Sequence, residues 1–296
     1  MNPPSHTLPA CPPRPALRVL AIETSTERLS LALGPAGGAA LAAYEGEGGA
    51  QASATLLPRL LELLQGLGWR LAELDAIAFG QGPGAFTGLR SACAVVQGLA
   101  LAARPGGVPV LPIGTLLALG DEGWHAAWHA GCAQGLGSGT VPGALLGQGP
   151  RQAQPTRLVA ALDARMGELY VAELRWRGGP AGDAGWRMAG EPRLCAPEAL
   201  PLEWLQDEAG APTWLVSNAL ATYAERLPLP WRTVPQVPAW PSAAALLRLA
   251  GWHWAAGLAV AAEQAQPLYV REQVALTTAE RAALQAQRLA AQPGPP

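Results

Sequence analysis

Leu17 to Leu33 reads LRVLAIETSTERLSLAL, and Arg157 to Leu174 reads RLVAALDARMGELYVAEL. Each stretch opens with a continuous apolar run typical of a buried strand, passes through a short polar segment that begins with an acid, and resumes as a second strand. The first is a β-hairpin turning through Glu23 to Arg28. A shift of 140 residues lays the second on it, with Val19 on Val159, Ala21 on Ala161, Glu23 on Asp163, Leu29 on Leu169 and Ala32 on Ala172. A repeated order of strand, acid, turn and strand implies a duplicated α/β lobe.

The chain has 296 residues, enough for two lobes of about 100 to 150 residues, each with its own core. The expected boundaries are a Pro-rich leader over 1–16, a first lobe over 17–130, and a Gly- and Pro-rich linker or insertion over 131–156. A second lobe follows over 157–277, with its 242–257 helix able to pack back on the first, and a terminal helix and tail occupy 278–296. Between the hairpins, leucines 57, 60, 64 and 67 mark a helix over Ser53–Leu67, and Asp75–Phe79 reads as a strand. Thr87 is placed to cap a second helix carrying Leu89, Ala92, Val96, Leu99 and Ala103. Val108–Pro112, Thr213–Ser217 and Arg232–Val234 read as strands, a helix starts near Thr115, and Ser242 caps another.

Composition narrows the chemistry. All twenty basic residues are arginine, so a Schiff-base lysine and a Walker-type phosphate lysine are both excluded. The net charge of −2 and the absence of a dense Arg cluster argue against a free-standing nucleic-acid binder. Cys11, Cys93, Cys132 and Cys195 show no CxxC spacing, which suits a reducing compartment, and the cytoplasm is expected. The leader has no apolar signal core, and the best membrane candidate, Leu249–Ala262, is too short to span, so no membrane partner is expected. Only 14% of residues are charged, which is consistent with codon bias or with apolar surface covered by a partner.

Four strings together resemble the TsaB (YeaZ) family: IETSTERLSLAL at 22–33, FGQGPGAFTGLR at 79–90, LDARMGELYVA at 162–172 and PLYVR at 267–271. The resemblance spans Leu17 to Val274 and implies a two-lobed actin, Hsp70 and sugar-kinase-like fold with a duplicated mixed-sheet lobe. It further implies a non-catalytic subunit of the assembly that places a threonylcarbamoyl group on N6 of adenosine 37 in tRNAs reading codons that begin with A. The implied partners are TsaD, as a heterodimer, and the ATPase TsaE, with tRNA reached through the complex and a homodimer when the chain is alone. No cofactor is implied for the isolated chain, while ATP or ADP with Mg fits the assembled complex. An independent ATPase or small-molecule kinase of the same fold is the alternative.

Candidate site residues follow from that comparison. Glu23, Thr24, Ser25, Gly82, Gly84, Thr87, Gly88, Asp163 and Arg165 are remnants of a nucleotide loop, and no residue is nominated as catalytic. Glu23 and Asp163 either organise a metal near phosphate or accept hydrogen bonds from turn amides. The 80–88 loop either cradles phosphate or makes a tight strand-to-helix turn. The superfamily's adenine-packing glycine pair would fall at Leu215–Leu220, where no glycine occurs. Leu57, Leu60, Leu64, Leu67, Leu89, Ala92, Val96 and Leu99 either form the partner interface or cover their own sheet. His125 and His129 share a helical face but lack a third metal ligand nearby, and His253 reads as a core residue.

Overall fold

The computed structural model describes residues 16–49, 52–133, 156–178, 184–205 and 213–271. The leader, the 134–155 stretch and the terminal helix expected over 279–291 lie outside the described residues.

The first lobe contains β1 (Arg18–Glu23), β2 (Arg28–Pro35), β3 (Ala42–Glu47), α1 (Ala52–Leu67), β4 (Ala76–Gly82), α2 (Phe86–Ala103), β5 (Val110–Gly114) and α3 (Thr115–Ala133). The second contains β6 (Arg157–Asp163), β7 (Leu169–Arg177), β8 (Gly185–Met188), β9 (Arg193–Cys195), β10 (Trp214–Ser217), α4 (Leu220–Tyr223), α5 (Leu229–Thr233), β11 (Gln236–Pro238) and α6 (Ala243–Ala255). Strand order is β3-β2-β1-β4-β5 in one sheet and β8-β7-β6-β10-β11 in the other, with β9 also pairing β7. In both sheets the hairpin is antiparallel and the next two strands add in parallel, so the duplication extends through the whole topology.

The overlay of the hairpins needs one correction. Glu23 pairs with Ser30, but Asp163 pairs with Leu169, because the second turn is one residue shorter. The shift of 140 therefore holds along the first strands and slips by one along the second, where Ser30, not Leu29, corresponds to Leu169. Arg232–Val234 is not a strand. Pro230 opens a short helix there and the strand follows at Gln236–Pro238.

Alternation along β1 distributes the core. Val19 and Ala21 face inward with Ala32, Ala76 and Ala78, against α3, α6 and the inner face of the second sheet. Leu20 and Ile22 face outward and pack with Leu29, Leu31, Phe79 and the inner sides of α1 and α2. The second sheet repeats the scheme, with Val159, Ala161 and Leu215 covered by Leu200, Trp204, Tyr223 and Trp231. Helices α3 and α6 are thus sandwiched between the sheets. Arg248 of α6 clamps them together, its Nε donating to Asp121 (2.7 Å) and its Nη2 to Glu122 (2.8 Å). Ser242 caps α6 by accepting the Ala245 amide, and Ala243 N–H donates to Ser30 Oγ, so this late helix is anchored on the first hairpin.

Among the described residues the helix long and apolar enough to cross a membrane is α2, not the Leu249–Ala262 stretch, since α6 stops at Ala255. Its length and composition would allow it to cross a membrane. Its inward side is nevertheless committed, with Leu89, Ala92, Cys93, Val96 and Ala100 buried in the core beneath it.

Candidate functional site

The two hairpin turns face each other across the cleft between the lobes, and each is closed by its acid in the same way. Glu23 Oε1 accepts the Ser25 amide at 2.7 Å, and Asp163 Oδ1 accepts the Arg165 amide at 2.9 Å. Both bonds run from an acid to the amide two residues later, an Asx-like closure that pins the chain reversal.

The environments differ. Glu23 is fully buried, and burial raises its carboxyl above the usual range against the opposing pull of the Ser25 and Thr24 hydrogen bonds. Its Oε2 finds no hydrogen-bond partner among the described residues and lies over Gly80, where a β-carbon would approach within 1.9 Å. Asp163 is richer in partners. It accepts from the Tyr223 hydroxyl at 3.2 Å and pairs with Arg165, while its own amide donates to Asn218 Oδ1 at 2.9 Å. The turn after β10 is held by Asn218 and by Ser217 Oγ, which accepts the Ala219 amide. Side chains therefore close the place where the superfamily would put adenine-packing glycines.

The 80–88 loop sits directly on the first turn. Ala85 N–H donates to the Ser25 carbonyl oxygen (2.7 Å), and Thr24 Oγ1 donates to the Gly88 carbonyl oxygen (2.9 Å). A β-carbon on Gly84 would come within 2.5 Å of the Ser25 oxygen, and one on Gly88 within 2.0 Å of the Thr24 oxygen. These glycines permit backbone-to-backbone approach, which is the tight-turn reading of the loop. Gly82 instead adopts φ 118° beneath Leu268. The helix begins two residues earlier than expected, so Ala85 occupies the cap position and the exposed Thr87 does not cap.

The lobes are joined at the cleft mouth by Arg165 and by two residues to which the sequence assigned no role, Glu27 and Trp240. Arg165 reaches Glu27 at 3.6 Å, and Glu27 also accepts from Trp240 Nε1 at 2.9 Å. Arg165 and Met166 both adopt left-handed backbone, φ 61° and 56°, and hold Met166 73% exposed at the tip of the turn. The PLYVR segment crosses the cleft as a strap. Leu268 N–H donates to the Gln81 oxygen, Tyr269 packs on Phe86 and accepts from Arg90 Nε, and Arg271 pairs with Glu168. A cavity of about 220 Å³ remains between the strap, the Pro83–Phe86 loop and the 164–166 turn.

On the outer face, α1 and α2 lie side by side over the first sheet. Leu60, Leu64, Leu89, Ala92 and Val96 are buried within the lobe, and Leu67 and Leu99 are half-buried. The five buried residues therefore cover their own sheet, the second of the two readings, whereas Leu67 and Leu99 keep part of their surface outward. Leu57 remains outward at 44% exposure, joined by Leu61 at 53% and Leu101 at 54%. Around them Ala54, Pro58, Ala94 and Gly98 are also exposed, leaving a surface of small and apolar residues interrupted by the Arg59–Glu62 ion pair and by Arg90.

His253 is buried in the core region, its Nδ1 donating to the Leu249 oxygen. His125 is half-buried on α3, and the His129 side chain lies outside the described residues. No group of three potential metal ligands occurs among the described residues.

A family model described as TsaD, tRNA N6-adenosine threonylcarbamoyltransferase, matches residues 49–126. The chain is 29% identical over 271 residues to the tRNA threonylcarbamoyladenosine biosynthesis protein TsaB of Escherichia coli, covering 88% of this chain and 96% of that protein. It is 30% identical over 269 residues to TsaB of Haemophilus influenzae, covering 87% and 95%. Among solved structures, YeaZ from Pseudomonas aeruginosa superposes with a TM-score of 0.64 at 34% identity, covering 86% of this chain and 99% of that one. A second structure, a protein with similarity to peptidase YEAZ from the same organism, gives 0.66 at 36% identity, covering 86% and 100%.

Proposed function

The chain belongs to the TsaB (YeaZ) family, and from that membership we propose that it serves tRNA threonylcarbamoyladenosine biosynthesis as a non-catalytic subunit. It binds the catalytic partner TsaD through the outer faces of α1 and α2 and supports threonylcarbamoyl transfer to N6 of adenosine 37. TsaE joins this assembly, tRNA is engaged through the complex, and ATP or ADP with Mg is held by the assembled complex. Without the partner, the same faces pair two copies of the chain.

The observation that carries this reading is the set of exposed leucines on the outer faces of α1 and α2, Leu57, Leu61 and Leu101, beside charges that are paired with each other, Arg59 with Glu62. Apolar side chains of this size gain about 1.5–3 kcal/mol each on full burial, so a helical partner of matching character would cover them favourably. The exposed Ala94 and Gly98 on α2 let a facing helix approach closely. An independent ATPase is disfavoured by the cleft, where glycines seat the 80–88 loop on the first turn and the 268–271 strap spans the mouth.

The test is co-purification with the cognate TsaD. The double variant Leu57→Glu, Leu61→Glu is expected to keep the circular dichroism of the parent and to elute without the partner. Cells carrying it as the sole copy should lose threonylcarbamoyladenosine from tRNA. Undiminished co-elution would remove the interface, and unchanged nucleoside content on depletion of the protein would remove the pathway role.

A further inference from the structure

Two cations stand on the outer faces of α1 and α2, and they differ in their company. Arg59 is paired with Glu62, whereas Arg90 meets no carboxylate among the described residues. Arg90 is nonetheless held in place. Its guanidinium lies 3.7 Å from the centre of the Phe86 ring, one helical turn earlier, and its Nε donates to the Tyr269 hydroxyl of the strap at 3.0 Å. Phe86 and Tyr269 pack on each other with ring centres 5.2 Å apart, so the guanidinium rests on a platform built jointly by α2 and the strap.

Only Nε is used within the chain. The N–H groups on Nη1 and Nη2 remain for a ligand, in the planar fork that matches a carboxylate. The Tyr269 hydroxyl accepts from Arg90 and keeps its own hydrogen to donate. Arg90 is exposed and Tyr269 is 44% exposed, so both are open to an incoming group.

Position decides what this fork meets. With 3.6 residues per turn, Arg90 stands within about 20° of Leu101 and about 40° of Ala94 around the α2 axis, and about 16 Å from Leu101 along it. It therefore closes one end of the exposed stripe of Ala94, Gly98 and Leu101. A helix laid over that stripe takes the guanidinium out of water, and a cation desolvated without a counter-charge is strongly unfavourable. The sole acid in α1 or α2 is Glu62, which Arg59 already holds. The counter-charge must come from the partner.

Resting on the interface read above, we propose that Arg90 and Tyr269 form a carboxylate-binding pair, which takes an aspartate or glutamate side chain from the facing helix of the partner. That acid lies about three turns from the residue that covers Leu101. The pair also sets specificity. A second copy of this chain brings only the Arg59-bound Glu62 on the same helices, so pairing of two copies leaves the fork without a free acid and is the weaker association.

The test uses the purified full chain and the cognate TsaD, with affinity read by calorimetry at low salt. Arg90→Gln should weaken binding about tenfold or more, and Arg90→Glu about a hundredfold or more. Tyr269→Phe keeps the ring packing and removes the hydroxyl, with an expected loss of about threefold to tenfold. Because Arg90 also fastens the strap, charge exchange supplies the second arm. Among Asp→Arg and Glu→Arg variants on the partner's interface helices, one should bring binding of Arg90→Glu back to within about tenfold of the parental pair. Parental affinity of Arg90→Glu, beside loss of binding by the Leu57→Glu, Leu61→Glu variant, would overturn the carboxylate-binding pair and leave the interface standing. Parental affinity of both would remove the interface and the pair with it. Weakening that no exchange variant restores would place the effect in the strap and overturn the pair.

Discussion

Thr24 and Gly88 are locked together: the Thr24 side-chain Oγ1 donates to the Gly88 carbonyl oxygen at 2.9 Å, and the Thr24 backbone oxygen occupies the space of the β-carbon that Gly88 lacks. The same pair joins the first hairpin turn to the start of α2, and so fixes the position of the helix whose outer face is offered to a partner.

Alanine in place of glycine in a helix is ordinarily favourable by about 1 kcal/mol. At Gly88 the clash with a backbone oxygen outweighs that gain. Gly88→Ala is expected to destabilise the chain by about 2–3 kcal/mol, read as a lower urea midpoint at unchanged slope. A neutral or stabilised variant would show that α2 is free to shift away from the turn.

Glu23 gives a prediction of opposite sign. Its carboxyl titrates above the ordinary value of 4.5 in the folded chain, so its contribution is fully present below that pH and is lost as pH rises through the raised value. Glutamine keeps an oxygen for the Ser25 amide without a buried charge. Glu23→Gln is therefore expected to be more stable than the parent at pH 7.5 by on the order of 1 kcal/mol, with the difference closing towards pH 4. Destabilisation at pH 7.5 would mean that the charge itself is used, as a bound cation would require.

Two adjacent leucines separate fold from interface. Leu60 is buried beneath α1, whereas Leu61 is more than half exposed. Leu60→Ala should cost about 2–5 kcal/mol in denaturant titration. Leu61→Ala should change stability by less than about 0.5 kcal/mol and weaken partner binding instead.

The Arg248 clamp faces two carboxylates, of which Asp121 is pushed up by burial and held down by the arginine. Arg248→Ala leaves both without their cation inside the helix sandwich, with an expected cost of about 3–5 kcal/mol at pH 7. The gap to the parent should narrow as pH falls towards 4, because protonation relieves the unpaired acids while the parent loses its ion pairs. A pH-independent difference would place the effect in lost packing alone.

The hairpins were legible because two apolar runs around an acid are a strong one-dimensional pattern, and the α6 cap was legible from Ser242. The edge strand Ala42–Glu47 was not, since AAYEGE alternates in exposure but carries few β-forming side chains. Heptad-like spacing on α1 and α2 found the correct residues for a packed stripe but could not say which surface the stripe meets. Leu60 and Val96 meet their own sheet, and Leu61, off the counted stripe, looks outward. Arg90 and Tyr269, 179 residues apart, carried no signal that they would meet, because the strap reaches α2 only in the folded chain.

The anchoring of α6 on the first hairpin has a consequence for biogenesis. The strands of the first sheet are complete by Gly114, yet the inner faces of Val19, Ala21 and Ala32 are covered by a helix that begins at Ala243. On a ribosome, that sheet has only α3 over the β4–β5 part of its inner face, and the β1–β2 part must wait uncovered while the second lobe is translated. Vectorial, lobe-by-lobe folding is therefore denied to this chain, and a nascent fragment ending before Ala243 is expected to behave as a chaperone client.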